Sequence, residues 1–116
     1  MNRVDLIGRL VNDPEVKTLQ NGKLMARFRI AVRREFKDPD GEIRADFMQI
    51  VSFHHAEAIE KYLHKGERCA VVGRIQTGSF KNRDGHNVYT TDIIADRVEF
   101  LDKRSNQQNQ QQSGME

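Results

Sequence analysis

Two phenylalanines six residues apart frame the most informative stretch of the chain, Ala45 to His54. Read as a strand, it places Phe47, Gln49, Val51 and Phe53 on one face and Met48, Ile50 and Ser52 on the other. The second set is an ordinary core face. The first carries an aromatic ring near each end, roughly 20 Å apart at the rise of a strand, with a polar Gln49 between them. Rings so placed suit stacking against flat ligands. The stretch alone is equally compatible with a strand buried on both sides, because large aromatics are usually core residues.

The surrounding cations favour the first reading. Residues 27–37 carry Arg27, Arg29, Arg33, Arg34 and Lys37 against the single acid Glu35, and residues 74–83 carry Arg74, Lys81 and Arg83 with no acid. The net charge is only +2, so the signal lies in the distribution: two basic stretches on a nearly neutral protein imply a basic face. The plainer account is an exposed sheet face kept soluble by its charges. Phe36 and Phe80 fall inside these stretches and join Phe47 and Phe53 as candidate contacts. Flat rings interleaved with cations on extended chain match single-stranded nucleic acid, whose unstacked bases rest on aromatic side chains while its phosphates meet Arg and Lys. A duplex reader would need a recognition helix or ribbon with base-edge donors, and none is evident.

Other chemistries find little support. His54 and His55 are adjacent, so on a strand they point to opposite faces, and His64 and His86 fall in other elements. No three or four ligands converge as a zinc site needs. The single Cys69 has no disulfide partner and is expected to be a small buried side chain. Asp92 and Asp96 read as solvated charges. There is no phosphate-cradling glycine loop and no Ser/His/Asp set. The expectation is therefore no enzyme, no cofactor and no metal. With no apolar run long enough to span a bilayer and no apolar N-terminal leader, the cytoplasm is the expected compartment.

These residues must be held by a small set of elements. Alternation predicts a first strand over 3–11 with Gly8 as a bend, then extended chain over 15–20. A strand follows over 23–36, with Phe28, Ile30 and Val32 on a core face and Arg27, Arg29 and Arg33 opposite. Phe36 fits the core phase but stands where the strand gives out, so it either caps the core or projects. Next come the strand over 45–53 and a helix of about three turns over 55–65, burying Ala56, Ile59, Tyr62 and Leu63 and closed by Lys65 and Gly66. The last strands run over 68–80, with a second bend at Gly73, and over 87–101. Hairpin signals stand at Asn21-Gly22, Asp40-Gly41 and Asp84-Gly85. As two-residue turns, the second places Arg34 opposite Phe47 and the third Phe80 opposite Tyr89. The order is all-β with one short helix: three strands, the helix, two strands. It predicts a five-stranded OB-fold Greek-key barrel over 1–102, a fold that binds oligonucleotides and oligosaccharides on one face. Residues 103–116 contain seven consecutive Asn and Gln residues at 106–112 and are expected to be a disordered tail. The alternative function for such a barrel is a protein–protein module whose phenylalanines are core or interface.

The segments Met1 to Leu10, Asp13 to Val16, Ala26 to Val32, Asp46 to Phe53, Ala58 to Gly66, Gly73 to Thr77 and Asp84 to Thr91 lie in an order and spacing that resemble the bacterial-type single-stranded DNA-binding proteins across about residues 1–101. The resemblance implies a non-catalytic, cofactor-free homotetramer around which single-stranded DNA wraps, acting in replication, recombination or repair in the nucleoid. It carries the family's stacking positions onto Phe36, Phe47, Phe53 and Phe80, and so favours projection of Phe36. Family basic positions fall on Lys65, while Gln49 and Gly78 depart from them; Arg33, Arg34 and Lys81 are expected to compensate. Many members carry Trp at several stacking positions, and this chain has none. Members that recruit partner proteins usually end in an acidic tip closing with Pro-Phe; here the sequence ends Gly114-Met115-Glu116. The implied expectation is a short-tailed paralogue, serving DNA uptake or a mobile element, or a shortened chain, with tail-mediated partner recruitment in doubt.

Overall fold

Six strands and one helix alternate as β1 (Val4–Leu10), β2 (Glu15–Thr18), β3 (Leu24–Arg33), β4 (Ala45–Ser52), α1 (Ala56–Tyr62), β5 (Arg68–Lys81) and β6 (Asn87–Phe100). The structure, a computed structural model, describes residues 1–102; the tail expected over 103–116 lies outside the described residues. The sheet runs β1-β5-β6-β4-β3-β2, and a further β1–β3 pairing closes β1, β5, β6, β4 and β3 into a five-stranded barrel. All pairings are antiparallel except β4–β6. The expected OB-fold class holds. The sixth strand is β2, the extended stretch after Asn12-Asp13-Pro14. It borders the same strand as the end of β1, Glu15–Thr18 against Arg27–Leu24 and Arg9–Leu10 against Ala31–Ile30.

Closure depends on β1 serving two neighbours at once. Val4 to Arg9 pair with Gly73 to Arg68, while Arg9 and Leu10 also pair with β3. Gly8 permits the approach, since a Cβ there would lie 2.7 Å from the Ala31 carbonyl oxygen. Gly73 does the same on β5, where a Cβ would overlap the Ile94 carbonyl. At this point Val72 faces Arg97 and Gly73 faces Ala95, so Asp96 is the extra residue of a β-bulge. Both expected bends are therefore real. Asn2 pins the chain beside the second: its side chain donates to the Ile75 carbonyl at 2.8 Å and accepts from the Ile75 amide at 2.9 Å.

Phe28, Ile30, Ile50, Ile59, Leu63, Cys69, Val71 and Ile93 fill the barrel and are almost wholly buried. α1 packs against β3 and β2 and contributes Ala56 and Ile59 to this core, which Leu63 joins from just past its end. It is shorter than expected, two turns rather than three. His55 at its N-cap adopts a left-handed backbone (φ 58°), and Leu63 is already extended. Tyr62, expected in the core, is half-exposed with Lys61 over its ring at 5.3 Å. Gly66 is not the C-cap; it turns the chain three residues after Leu63 (φ 90°), its amide donating to the Leu10 carbonyl. Its left-handed conformation satisfied the sequence signal, but the helix had already ended.

All three hairpin turns share one geometry, and it corrects both register expectations. The amides of Leu19, Asp38 and Asn82 donate to the carbonyls of Lys23, Glu42 and His86, and Gly22, Gly41 and Gly85 each have φ between 82° and 86°. These are three-residue loops ending in a left-handed glycine rather than two-residue turns. The added loop residue slides the β5–β6 ladder by one, so Phe80 faces Val88 and Tyr89 faces Ser79. In the β3–β4 hairpin, Glu35–Lys37 oppose Ile43 alone, since Arg34 pairs with Arg44 and Asp38 with Glu42. Phe47 consequently faces Ala31, not Arg34.

Gly73→Ala forces a methyl into backbone, and we expect a loss of about 1–3 kcal/mol of stability, measured by urea unfolding. Burial pushes the Cys69 thiol up to about 12. Its alkylation at neutral pH is expected only as the protein unfolds, which mass spectrometry against denaturant checks.

Candidate nucleic-acid interface

Strand pairing assembles one outer face from four strands. The β3–β4 register sets Arg27, Arg29, Ala31 and Arg33 opposite Val51, Gln49, Phe47 and Ala45. The parallel β4–β6 ladder continues the face through Asp92 beside Gln49 and Ile94 beside Val51. β5 completes it with Arg74, Gln76, Gly78 and Phe80 against Ile94, Asp92, Thr90 and Val88. The alternate residues Phe28, Ile30 and Ile50 point into the barrel, so one phase of each strand makes the core and the other makes the face.

An open groove of about 740 Å³ runs along it, lined among others by Arg27, Arg29, Gln49, Phe53, Gln76 and Asp92. All four expected stacking residues are exposed: Phe36 at 80%, Phe47 and Phe80 at 56% and Phe53 at 44%. Phe47, Phe53 and Phe80 share the phase of the groove. Phe36 stands apart in the β3–β4 connection, projecting from its two extra residues, which resolves the core-or-surface alternative in favour of projection.

The cations divide. Arg33 and Arg74 lie on the groove's strand phase, and Arg74 donates to the Gln76 side chain at 2.8 Å. Lys81 ends β5 beside Phe80, and Arg83 stands in the hairpin loop beyond it. Lys37 is exposed next to Phe36. Arg34 is engaged elsewhere: its guanidinium donates to both Asp46 oxygens, at 2.8 Å to the nearer, and approaches Asp38 at 3.8 Å. Lys65 lies in the loop after α1, where its amide donates to Asp13, and it does not line the groove.

Arg27 and Arg29 are the residues that the sequence reasoning placed on the basic strand but left out of the site. Arg29 lies over the Phe47 ring at 5.6 Å, a cation–π contact that supports the ring and leaves a charge at the groove edge. Asn12 fixes its backbone, accepting from the Arg29 amide at 3.1 Å, while Val11 donates to the Arg29 carbonyl. Arg27 is drawn to Glu15 at 3.6 Å. Their shared strand phase with Arg33, a residue already in the expected site, was the available signal.

A barrel of this topology with an aromatic and cationic outer groove defines an OB-fold protein of the nucleic-acid-binding kind. The match to known proteins is more specific: the single-strand binding protein family model covers residues 1–101, and the chain belongs to that family. It is 44% identical over 112 residues to single-stranded DNA-binding protein 1 of Staphylococcus aureus strain MSSA476, covering 96% of this chain and 72% of that one. It is 43% identical over 115 residues to the single-stranded DNA-binding protein of Oceanobacillus iheyensis, covering 98% and 71%. The solved Plasmodium falciparum SSB complex with ssDNA superposes with a TM-score of 0.80 at 29% identity, over 88% of this chain and 96% of that one.

The hairpin beside the groove is tied by charge. Arg34 holds the Asp46 carboxyl below the usual carboxylate range, and Arg44 does the same to Asp40. Because these folded-state values are depressed, their contribution is complete above the ordinary carboxylate pKa, about 3.9, and is lost as pH falls through the lowered values. Below pH ~4, amides of residues 34–46 are expected to lose protection, relative to their intrinsic exchange rates, ahead of the core strands, and less so in Asp46→Asn, as hydrogen-exchange mass spectrometry would register.

Proposed function

We propose that the protein binds single-stranded DNA without strong sequence dependence, holding bases on Phe47, Phe53 and Phe80 and phosphates on Arg29, Arg33, Arg74, Lys81 and Arg83. The observation that carries this is the coincidence on one face of three half-exposed phenylalanines with an arginine row whose partner phase is core. Exposed rings cost the free protein solvation and gain when a base covers them, by about 1–3 kcal/mol per stacked base. Phe36 and Lys37, projecting from the connection between β3 and β4, extend the track beyond the groove. Arg34 and Lys65 contribute least, the first because its charge is committed to Asp46, the second because it stands in the loop after α1 and does not line the groove. Coating of exposed strands during replication, recombination or repair is the role this binding serves. It is non-catalytic and takes place in the cytoplasm on the nucleoid.

The same reading includes a homotetramer. Ile7, Ile75 and Tyr89 are exposed at 59%, 44% and 76% on strand phases opposed to the groove residues of β5 and β6 or on β1. Apolar groups left bare outside the groove are the surfaces that association between copies covers. The unit that binds and assembles is residues 1–102, with 103–116 as an appended tail.

Fluorescence anisotropy of a labelled oligo-dT, titrated at low and high salt, tests the proposal. Wild-type binding should weaken steeply with salt as phosphate contacts release counterions. Phe47→Ala and Phe53→Ala should each reduce affinity by roughly 5–150-fold with unfolding midpoints little changed, since neither ring is in the core. A folded wild-type protein that leaves the oligonucleotide free would overturn the assignment in favour of a protein-interaction barrel.

A further inference from the structure

One arginine of the groove is already occupied, and loosely. Glu15 opens β2, Arg27 stands opposite it on β3, and both line the groove. The guanidinium lies 3.6 Å from the carboxylate, beyond hydrogen-bond reach, and both side chains are open to water. An ion pair so placed is weak and readily exchanged. Arg34 shows the contrast: it grips both Asp46 oxygens, at 2.8 Å to the nearer, and is not so easily drawn off.

Arg27 stands where a phosphate can meet it. Register carries its row on to Val51 on β4, Ile94 on β6 and Arg74 on β5. Val51 and Ile94 are buried, so the row is an apolar floor between two arginine-bearing strands. Phe53 follows two residues after Val51, just past the end of β4, and also lines the groove. A strand whose base rests on Phe53 runs past Arg27. Its phosphates and the Glu15 carboxylate then compete for one guanidinium, since both are oxyanions that accept from the same fork of N–H donors.

We propose that Glu15 sets the affinity of the track: it holds Arg27 in the free protein and yields it to a phosphate when the strand enters. This rests on the groove being the single-strand track proposed above. While the pair is intact it carries no net charge and displaces no counterion from the strand. Phosphate capture by Arg27 is then an exchange of one anionic partner for another, which gains less than capture by a free guanidinium. A departing phosphate returns Arg27 to Glu15, so the carboxylate also eases release.

The test is a double-mutant cycle of Glu15→Gln and Arg27→Gln in the full chain, read by anisotropy of labelled oligo-dT over a salt series. Both side chains are exposed, so unfolding midpoints should stay near that of wild type. Glu15→Gln should tighten binding about two- to fivefold at low salt, with a slope of log affinity against log salt steeper by about 0.7. Arg27→Gln should cost about two- to fivefold in the Glu15→Gln protein and little where Glu15 is present. Equal losses in the two backgrounds mean that Glu15 acts only as a distant like charge; they overturn this inference and leave the single-strand reading standing. So does a Glu15→Gln protein that binds as wild type does. Failure of the folded wild type to bind oligo-dT overturns both.

Discussion

Barrel closure at two glycines is the constraint on which the remaining structure depends. β1 can border both β5 and β3 only because Gly8 brings its backbone against the Ala31 carbonyl. β5 can leave the barrel wall only because Gly73 meets Ile94 where Asp96 is bulged out. The first contact sets β3, and so its arginine row. The second swings the outer half of the β5–β6 hairpin, with Phe80, past the barrel. Without both, the core phase would still be apolar, but its alternate phase would not gather into a single groove.

The groove follows from strand periodicity applied four times over. Each of β3, β4, β5 and β6 gives one phase to the core and one to the surface, and the pairings decide which surface phases meet. The parallel β4–β6 pairing is the decisive one, since it sets Gln49 beside Asp92 and joins two hairpins that are separated by α1 in sequence. The helix itself supplies apolar residues to the core and places nothing in the groove lining.

The legible part of this architecture was local. Alternation marked the strands and their faces, and Gly8 and Gly73 marked the bends, because a missing side chain inside an apolar run has few other uses. The four exposed phenylalanines were accessible by two routes, Phe47 and Phe53 by their spacing on one strand phase and Phe36 and Phe80 by standing in basic stretches. What escaped was phase between strands. Asn-Gly and Asp-Gly admit both a two-residue turn and a three-residue loop ending in a left-handed glycine, and the difference of one residue decides which side chains are opposite. The expected site left out Arg27 and Arg29, although they share a strand phase with Arg33, and took in Arg34, which is committed to Asp46. The helix was overextended because Lys65-Gly66 imitates a helix end; the actual end at Leu63 is set by the need to bury that side chain while the chain turns toward β5.

The connection between β3 and β4 carries an imbalance of two residues, Glu35–Lys37 against Ile43. Parity makes that number meaningful. An even surplus lets the loop at Pro39–Gly41 and the ladder beyond Arg34 keep a common inside and outside, while the surplus chain buckles outward and carries Phe36 with it. A surplus of one would turn the tip over relative to the sheet. Removing the pair would zip the ladder through to the loop and draw the ring into it. The segment is thus a place where chain length changes safely only in twos, a rule for grafting or trimming this hairpin that no side-chain contact alone would reveal.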